Sequence, residues 1–158
     1  MATVPKTDSE AVVEHRRGEF LISTSRDLLN LDVVHGFLTN CYWSKGVPRE
    51  VVAASNEHSL CFGVYDGEGE QVGFARVITD FATIAYVGDV FVLETHRGHG
   101  LGKWLMQCIT QHPALQNLRR WILTTRDAHG LYSQVGFTTV KAPERYMELH
   151  RPDVYTRL

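Results

Sequence analysis

Seven consecutive residues, Arg97-Gly98-His99-Gly100-Leu101-Gly102-Lys103, place glycines at alternate positions. An apolar run, Val90-Phe91-Val92-Leu93, precedes them, and Leu101, Leu105, Met106 and Ile109 follow at helical spacing. The pattern reads as a strand running into a turn that opens a helix. Glycines remove side chains from the turn, so several backbone N–H groups can point at one ligand. The helix start adds about half a positive charge. Such a place binds phosphate, and Arg97, His99 and Lys103 add donors around it. The turn is not the nucleotide phosphate loop, because no Gly-Lys-Ser/Thr follows a glycine at the required spacing. Nor is it the dinucleotide fingerprint, whose third glycine would fall on Lys103. A diphosphate on some other carrier is the ligand it suits.

Metal and thiol chemistry find less support. His96 and His99 sit three apart, but no third ligand has an obvious spacing, so no metal is expected. Cys41, Cys61 and Cys108 are scattered, with no CxxC pair and no visible Cys/His arrangement. Neither a disulfide framework nor an acyl-enzyme thiol is implied. Tyr42, Trp43 and Lys45 cluster in a segment that reads as a loop. Arg76, Asp80, Tyr86 and Arg126 are further candidates for the edge of a site, and Arg119-Arg120 reads as a solvated pair.

These residues need a scaffold, and 158 residues suffice for one domain with a real core. Apolar content of 44% and charged content of 22% are those of an ordinary globular chain. A net charge of −2 and a pI near 6.4 argue against broad nucleic-acid binding. The N-terminus MATVPKTDSE lacks a basic-then-apolar signal pattern, and no apolar run approaches a membrane span of ~20 residues, so a cytoplasmic protein is expected. Residues 1–17 read as a tail or early edge segment, and 18–158 as a single domain. Phe20–Ser23 suits a strand. Thr24, Ser25 and Asp27 offer cap chemistry to a helix ending near Asn40, and Pro48 suits the start of a short helix to about Ala54. Leu60–Tyr65 and Val72–Thr79 read as strands joined by a turn at Asp66-Gly67-Glu68-Gly69. Ile84–Leu93 is a further strand, with Gly88 marking a bulge or close approach. Trp121–Thr125 is the next strand. Ala128–Val135 is a helix stopped by Gly136, and Phe137–Val140 begins a final strand paired with Tyr146–Leu149. The order predicts a mixed α/β sheet.

The run Arg97-Gly98-His99-Gly100-Leu101-Gly102 matches the Arg/Gln-x-x-Gly-x-Gly/Ala signature of the GNAT superfamily of N-acetyltransferases. Downstream, Ala128-His129-Gly130-Leu131-Tyr132-Ser133-Gln134-Val135-Gly136-Phe137 is similar to that family's Ala-x-x-aromatic/Leu-Tyr-x-x-x-Gly-Phe segment. The chain resembles the family from about Phe20 to its end. The resemblance implies an α/β (α+β) fold: a mixed, mostly antiparallel sheet with a central splay between two parallel strands, flanked by helices. It implies acetyl-CoA as co-substrate and direct acetyl transfer to a primary amine of a small molecule or peptide, and it leaves homodimer formation open. Phe91 and Val92 would meet the pantetheine arm through main-chain groups, and Arg97, Gly98, His99, Gly100, Leu101, Gly102 and Lys103 would cradle the pyrophosphate. Tyr132 would be the acid for the leaving thiolate. Thr125 stands where many members carry a cofactor-contacting asparagine. Tyr42 and Trp43 would line the acceptor pocket. Asp89 is the candidate base, since alternation puts it on one strand face with Phe91; Gly88 replaces the Glu of the family's usual Glu-Asp pair. The rival readings are a non-catalytic acyl-CoA-binding or sensing domain and a nucleotide-binding protein.

Overall fold

A computed structural model describes residues 11–157. Residues 1–10 of the expected tail lie outside the described residues. Glu14–Arg17 (β1) and Phe20–Ser23 (β2) form an antiparallel pair at one edge of a six-stranded sheet. Leu60–Tyr65 (β3), Gln71–Thr79 (β4) and Ile84–Val92 (β5) continue it antiparallel. Arg120–Ile122 (β6) closes the order β1-β2-β3-β4-β5-β6 and pairs parallel to β5. Every residue of β3 is buried, as a central strand covered on both faces must be.

Helices cover both faces. Leu101–Thr110 (α3) buries Leu101, Leu105, Met106 and Ile109 against Phe62, Val64, Val77 and Val87. On the other face, Leu31–Leu38 (α1) and Arg49–Glu57 (α2) pack Val34, Leu38 and Val52 against Phe74 and Phe91. Each such large side chain contributes about 1.5–3 kcal/mol of burial. α1 begins later than the cap residues Thr24, Ser25 and Asp27 suggest. Asn30 caps it, its Oδ1 accepting from Asp32 and Val33 N–H at 3.1 and 3.2 Å. Gln71 Oε1 accepts the Asn30 N–H at 2.7 Å, so a contact from β4 fixes the helix start. Pro48 precedes α2 as its cap, with a φ of −66° suited to helix entry.

Two features of β5 shape the site. Arg76 faces Gly88, and Phe74 faces Phe91, so β5 carries one residue more than β4 between those pairs. That is a bulge. The left-handed residue in it is Asp89, at φ 55°, rather than Gly88; aspartate tolerates this region better than most side chains. The core side switches there: Ala85 and Val87 upstream, but Val90 and Val92 downstream, pack towards α3. The second feature is a splay. β5 meets β6 only at Ile84↔Arg120, Ala85↔Trp121 and Tyr86↔Ile122. Beyond Tyr86, no strand among the described residues pairs with β5 on its β6 side.

The C-terminal region departs from expectation. β6 is three residues long, not five, and neither Phe137–Val140 nor Tyr146–Leu149 forms a strand. Pro143 offers no N–H to a ladder, and Pro143–Arg145 turns as a 3₁₀ helix. The Arg120 guanidinium lies 5.8 Å from the Tyr146 ring centroid of this segment. Between β6 and this segment runs a cleft lined by Trp121, Phe137 and Tyr146, while Met147 and Leu149 are exposed. His129–Ser133 (α4) is shorter than the expected helix over 128–135. No helix among the described residues is long and apolar enough to cross a membrane.

Candidate active site

The glycine-rich turn sits where β5 leaves the sheet. A 3₁₀ turn, Glu94–His96, ends β5, and α3 starts at Leu101. Gly98 and Gly100 have φ values of 86° and 70°, a region in which glycine carries no Cβ penalty. A Cβ built on Gly98 would meet no protein atom within 4 Å, so that side of the turn is open. No side chain caps α3, whose first N–H groups have no intrahelical acceptor. The first bond at this end is Trp104 N–H to the Gly100 carbonyl at 3.1 Å. The chemistry of these donors fits an anion, and an acyl carrier with a diphosphate fits the turn and the open β5 edge together. A Cβ built on Gly102 would lie 3.7 Å from the Leu131 side chain of α4, an ordinary packing contact. Lys103 is exposed on the first turn of α3.

Side chains already brace this turn. Arg97 donates from Nε to the Val92 carbonyl at 3.1 Å, engaging one of the main-chain groups expected to meet the pantetheine arm. Arg17 of β1 donates from Nη2 to the His99 carbonyl at 2.9 Å, and its guanidinium lies 4.7 Å from the Trp104 ring centroid. Sequence reading missed Arg17. It stands 82 positions from its partner, and only the β1–β2 hairpin brings it near. His99 packs beside Phe20 at 6.0 Å, and His96 lies 3.7 Å from Asp66 and bonds Thr95. Among the described residues no three metal-ligating side chains come together.

The opposite side of the opening is built around Asp89. Its Oδ2 accepts from Arg76 Nε at 2.9 Å, and its Oδ1 accepts from the Trp43 indole N–H at 3.0 Å. The pair is largely shielded, with 17% of the Arg76 side chain and 14% of the Asp89 side chain exposed. Arg76 also donates to Ser59 Oγ. Phe91 is buried and stacks on Phe37 at 4.0 Å, and Phe37 touches Trp43 at 6.2 Å. Asp89 and Phe91 therefore share a side, as alternation expects, with Val90 turned to α3, and the bulge sets both out of phase with Val87. Tyr42 meets Trp43 edge to face at 5.2 Å, and Arg126 places its guanidinium 3.7 Å from the Tyr42 ring centroid.

Tyr132 comes from α4. Burial pushes its phenol up, and Tyr42 and then Asp127 push the same way, so the hydroxyl holds its proton at neutral pH. It also packs edge-on against Phe137 at 6.1 Å. Thr125 Oγ1 accepts the Ala128 N–H at 3.0 Å and so shapes the entry to α4. Tyr86 shares a 3.2 Å hydrogen bond with Thr124, spanning the splay. Asp80 belongs elsewhere. Its carboxylate gathers the hydroxyl and N–H of Thr83 with the N–H groups of Ala82 and Ile84, which hold its carboxyl well below the usual range and shape a turn.

The family described as the GNAT acetyltransferase domain matches this chain over residues 57–139. A relative from Gibberella zeae, whose name places it among acetyltransferases, is 34% identical over 140 residues, which span 75% of this chain and 78% of the relative. A solved GNAT-family structure from Xanthomonas campestris pv. campestris is 46% identical, with a TM-score of 0.85 over 89% of this chain and 99% of that one. One from Deinococcus radiodurans R1 shares the fold at 19% identity, with a TM-score of 0.69 over 89% and 95% of the two chains. Two ordered motifs, a sheet that splays beside the glycine-rich turn, and these likenesses lead to one conclusion: the chain belongs to the GNAT acetyltransferase family.

Proposed function

We propose that this protein transfers an acetyl group from acetyl-CoA directly to a primary amine of a small molecule or peptide. The observation that carries the proposal is the uncapped mouth of α3, with left-handed Gly98 and Gly100, lying beside the unpaired edge of β5. Bound acetyl-CoA would supply an acyl group activated as a thioester. The main-chain donors of residues 98–103 would bind its diphosphate, with Arg97, His99 and Lys103 near by. Phe91 and Val92 would present main-chain groups along the β5 edge. Thr125 keeps its own O–H to donate, since its lone pair takes the Ala128 N–H.

On the acceptor side, Tyr42 and Trp43 would give the pocket its walls. Asp89 has acceptor positions beyond the two in use, so it would receive the ammonium of the incoming amine and is the candidate for removing its proton. Tyr132, protonated at neutral pH, would deliver a proton to the departing sulfur. Two cysteines are unsuited to an acyl-enzyme: Cys61 and Cys108 are buried, with thiols pushed up to about 11 by desolvation.

The test has two stages. Acetyl-CoA at about 100 times its Kd would stabilise the fold by about 2.7 kcal/mol. For a domain of this size that raises Tm by roughly 5–10 °C. ATP and NAD should leave Tm unchanged, and a response to them alone would favour the nucleotide reading. Release of free thiol with an amine panel then separates an enzyme from a sensing domain, because a sensor binds without turnover.

A further inference from the structure

We propose that the acceptor carries an oxyanion besides its reacting amine, and that Arg126 is the residue that receives it. The inference rests on the acetyltransferase reading and names the acceptor class for that site. Two arginines stand at the acceptor side, and they are used differently. Arg76 is committed, with Nε on Asp89 and Nη1 on Ser59. Arg126 makes no hydrogen bond among the described residues. Its nearest anion, Asp127, is 3.7 Å from Nη2, beyond hydrogen-bond reach, and both side chains are mostly exposed (65% and 69%). A surface contact of that kind contributes little.

The position of Arg126 is nevertheless defined. Its Cζ sits 3.7 Å from the Tyr42 ring centroid, a separation that admits only a stacked guanidinium. Stacking uses the flat face of the group and leaves its N–H edge free. A planar fork of free N–H groups suits a carboxylate or a phosphate. The stack also settles what Tyr42 cannot do. An ammonium tail would need that aromatic face, and a cation from the protein already covers it. That face of Tyr42 is therefore closed to a second positive charge, which argues against polyamines.

The same residues connect the oxyanion end to the amine end. Arg126 covers Tyr42, Tyr42 meets Trp43 at 5.2 Å, and the Trp43 indole bonds Asp89 at 3.0 Å. Arg126 follows β6 and Tyr42 follows α1, so the contact brings the segments after these two elements together. An acceptor bridging them would meet a cation at one end and a carboxylate at the other. Tyr132, which feels the charge of Asp127 and of Tyr42, lies beside this chain of contacts.

The experiment compares amino acids with their own amides, and 2-aminoethyl phosphate with ethylamine, as acceptors for the purified protein. Spermidine is the polycationic control. A charge-assisted contact predicts that kcat/KM favours the anionic member by roughly 10–100-fold, expressed in KM. Arg126→Gln should bring that ratio close to one, and Arg126→Lys should restore part of it. The amino-acid and phosphate arms show which oxyanion the site takes. Equal use of acid and amide by the wild type, or a preference for spermidine, overturns the proposal without any variant. A ratio unchanged in Arg126→Gln overturns the role of Arg126. Acetyl-CoA should still raise the Tm of Arg126→Gln. Absence of that shift in the wild type would instead overturn the acetyltransferase reading, and this inference with it.

Discussion

Tyr132 shows how environment gives a residue its task. A phenol in water is a weak acid at neutral pH, and burial beside Tyr42 and Asp127 keeps this one protonated still further into alkali. A proton donor to a thiolate needs that state. Tyr132→Phe keeps the ring packed on Phe137 and removes only the O–H. Turnover should fall by about 100-fold or more, with acetyl-CoA affinity almost unchanged in calorimetry. Unchanged turnover would remove Tyr132 from the chemistry. A motif resemblance singled out the tyrosine, and the turnover of Tyr132→Phe decides its role. The partners of Asp89 were not legible, since Trp43 and Arg76 lie 46 and 13 positions away and only the folded sheet shows them bonding one carboxylate.

Among the elements, those with dense apolar runs and sharp turns were the readable ones. β3, the Asp66 turn and α3 follow from local pattern, because burial and glycine placement decide them within a few residues. Features that depend on a neighbour were hidden. The start of α1 depends on Gln71, and the positive φ falls on Asp89 because β4 lacks a matching residue there, whereas the splay was expected through the family resemblance alone. The turn into α3 yields a direct prediction. At φ 70°, Gly100→Val incurs the left-handed penalty of about 1–2 kcal/mol, more for a branched side chain, and puts methyl groups beside Arg17 Nη2. Acetyl-CoA should then fail to raise Tm, while far-UV circular dichroism at 10 °C stays native. Retained affinity would refute the main-chain cradle.

For the molecule as a whole, His112 makes stability depend on pH. Its ring is 2% exposed and edge-on to Phe62; Nδ1 accepts the Ala114 N–H, and Nε2 has no partner. Desolvation and then the nearby His15 push its pKa below the ordinary value of 6.5. Above that value both folded and unfolded chains hold a neutral ring, and stability is full. Below it the unfolded chain takes up a proton that the folded chain resists, so stability falls by up to about 1.4 kcal/mol per pH unit. Between pH 7.5 and 5.0, Tm should drop more steeply for the wild type than for His112→Asn, which can still cap the turn at Pro113. Parallel curves would exclude His112 as the source.

The single supernumerary residue in β5 acts on the strand as an inserted base acts on a reading frame. Everything after it is read out of phase with everything before it, which is why Phe91 reaches Phe37 while Val90 and Val92 turn to α3. Excising one residue at Asp89 would therefore do more than remove a carboxylate. It would present the wrong side of the last three residues of β5 to each helical layer and carry that inversion to the threshold of the glycine-rich turn.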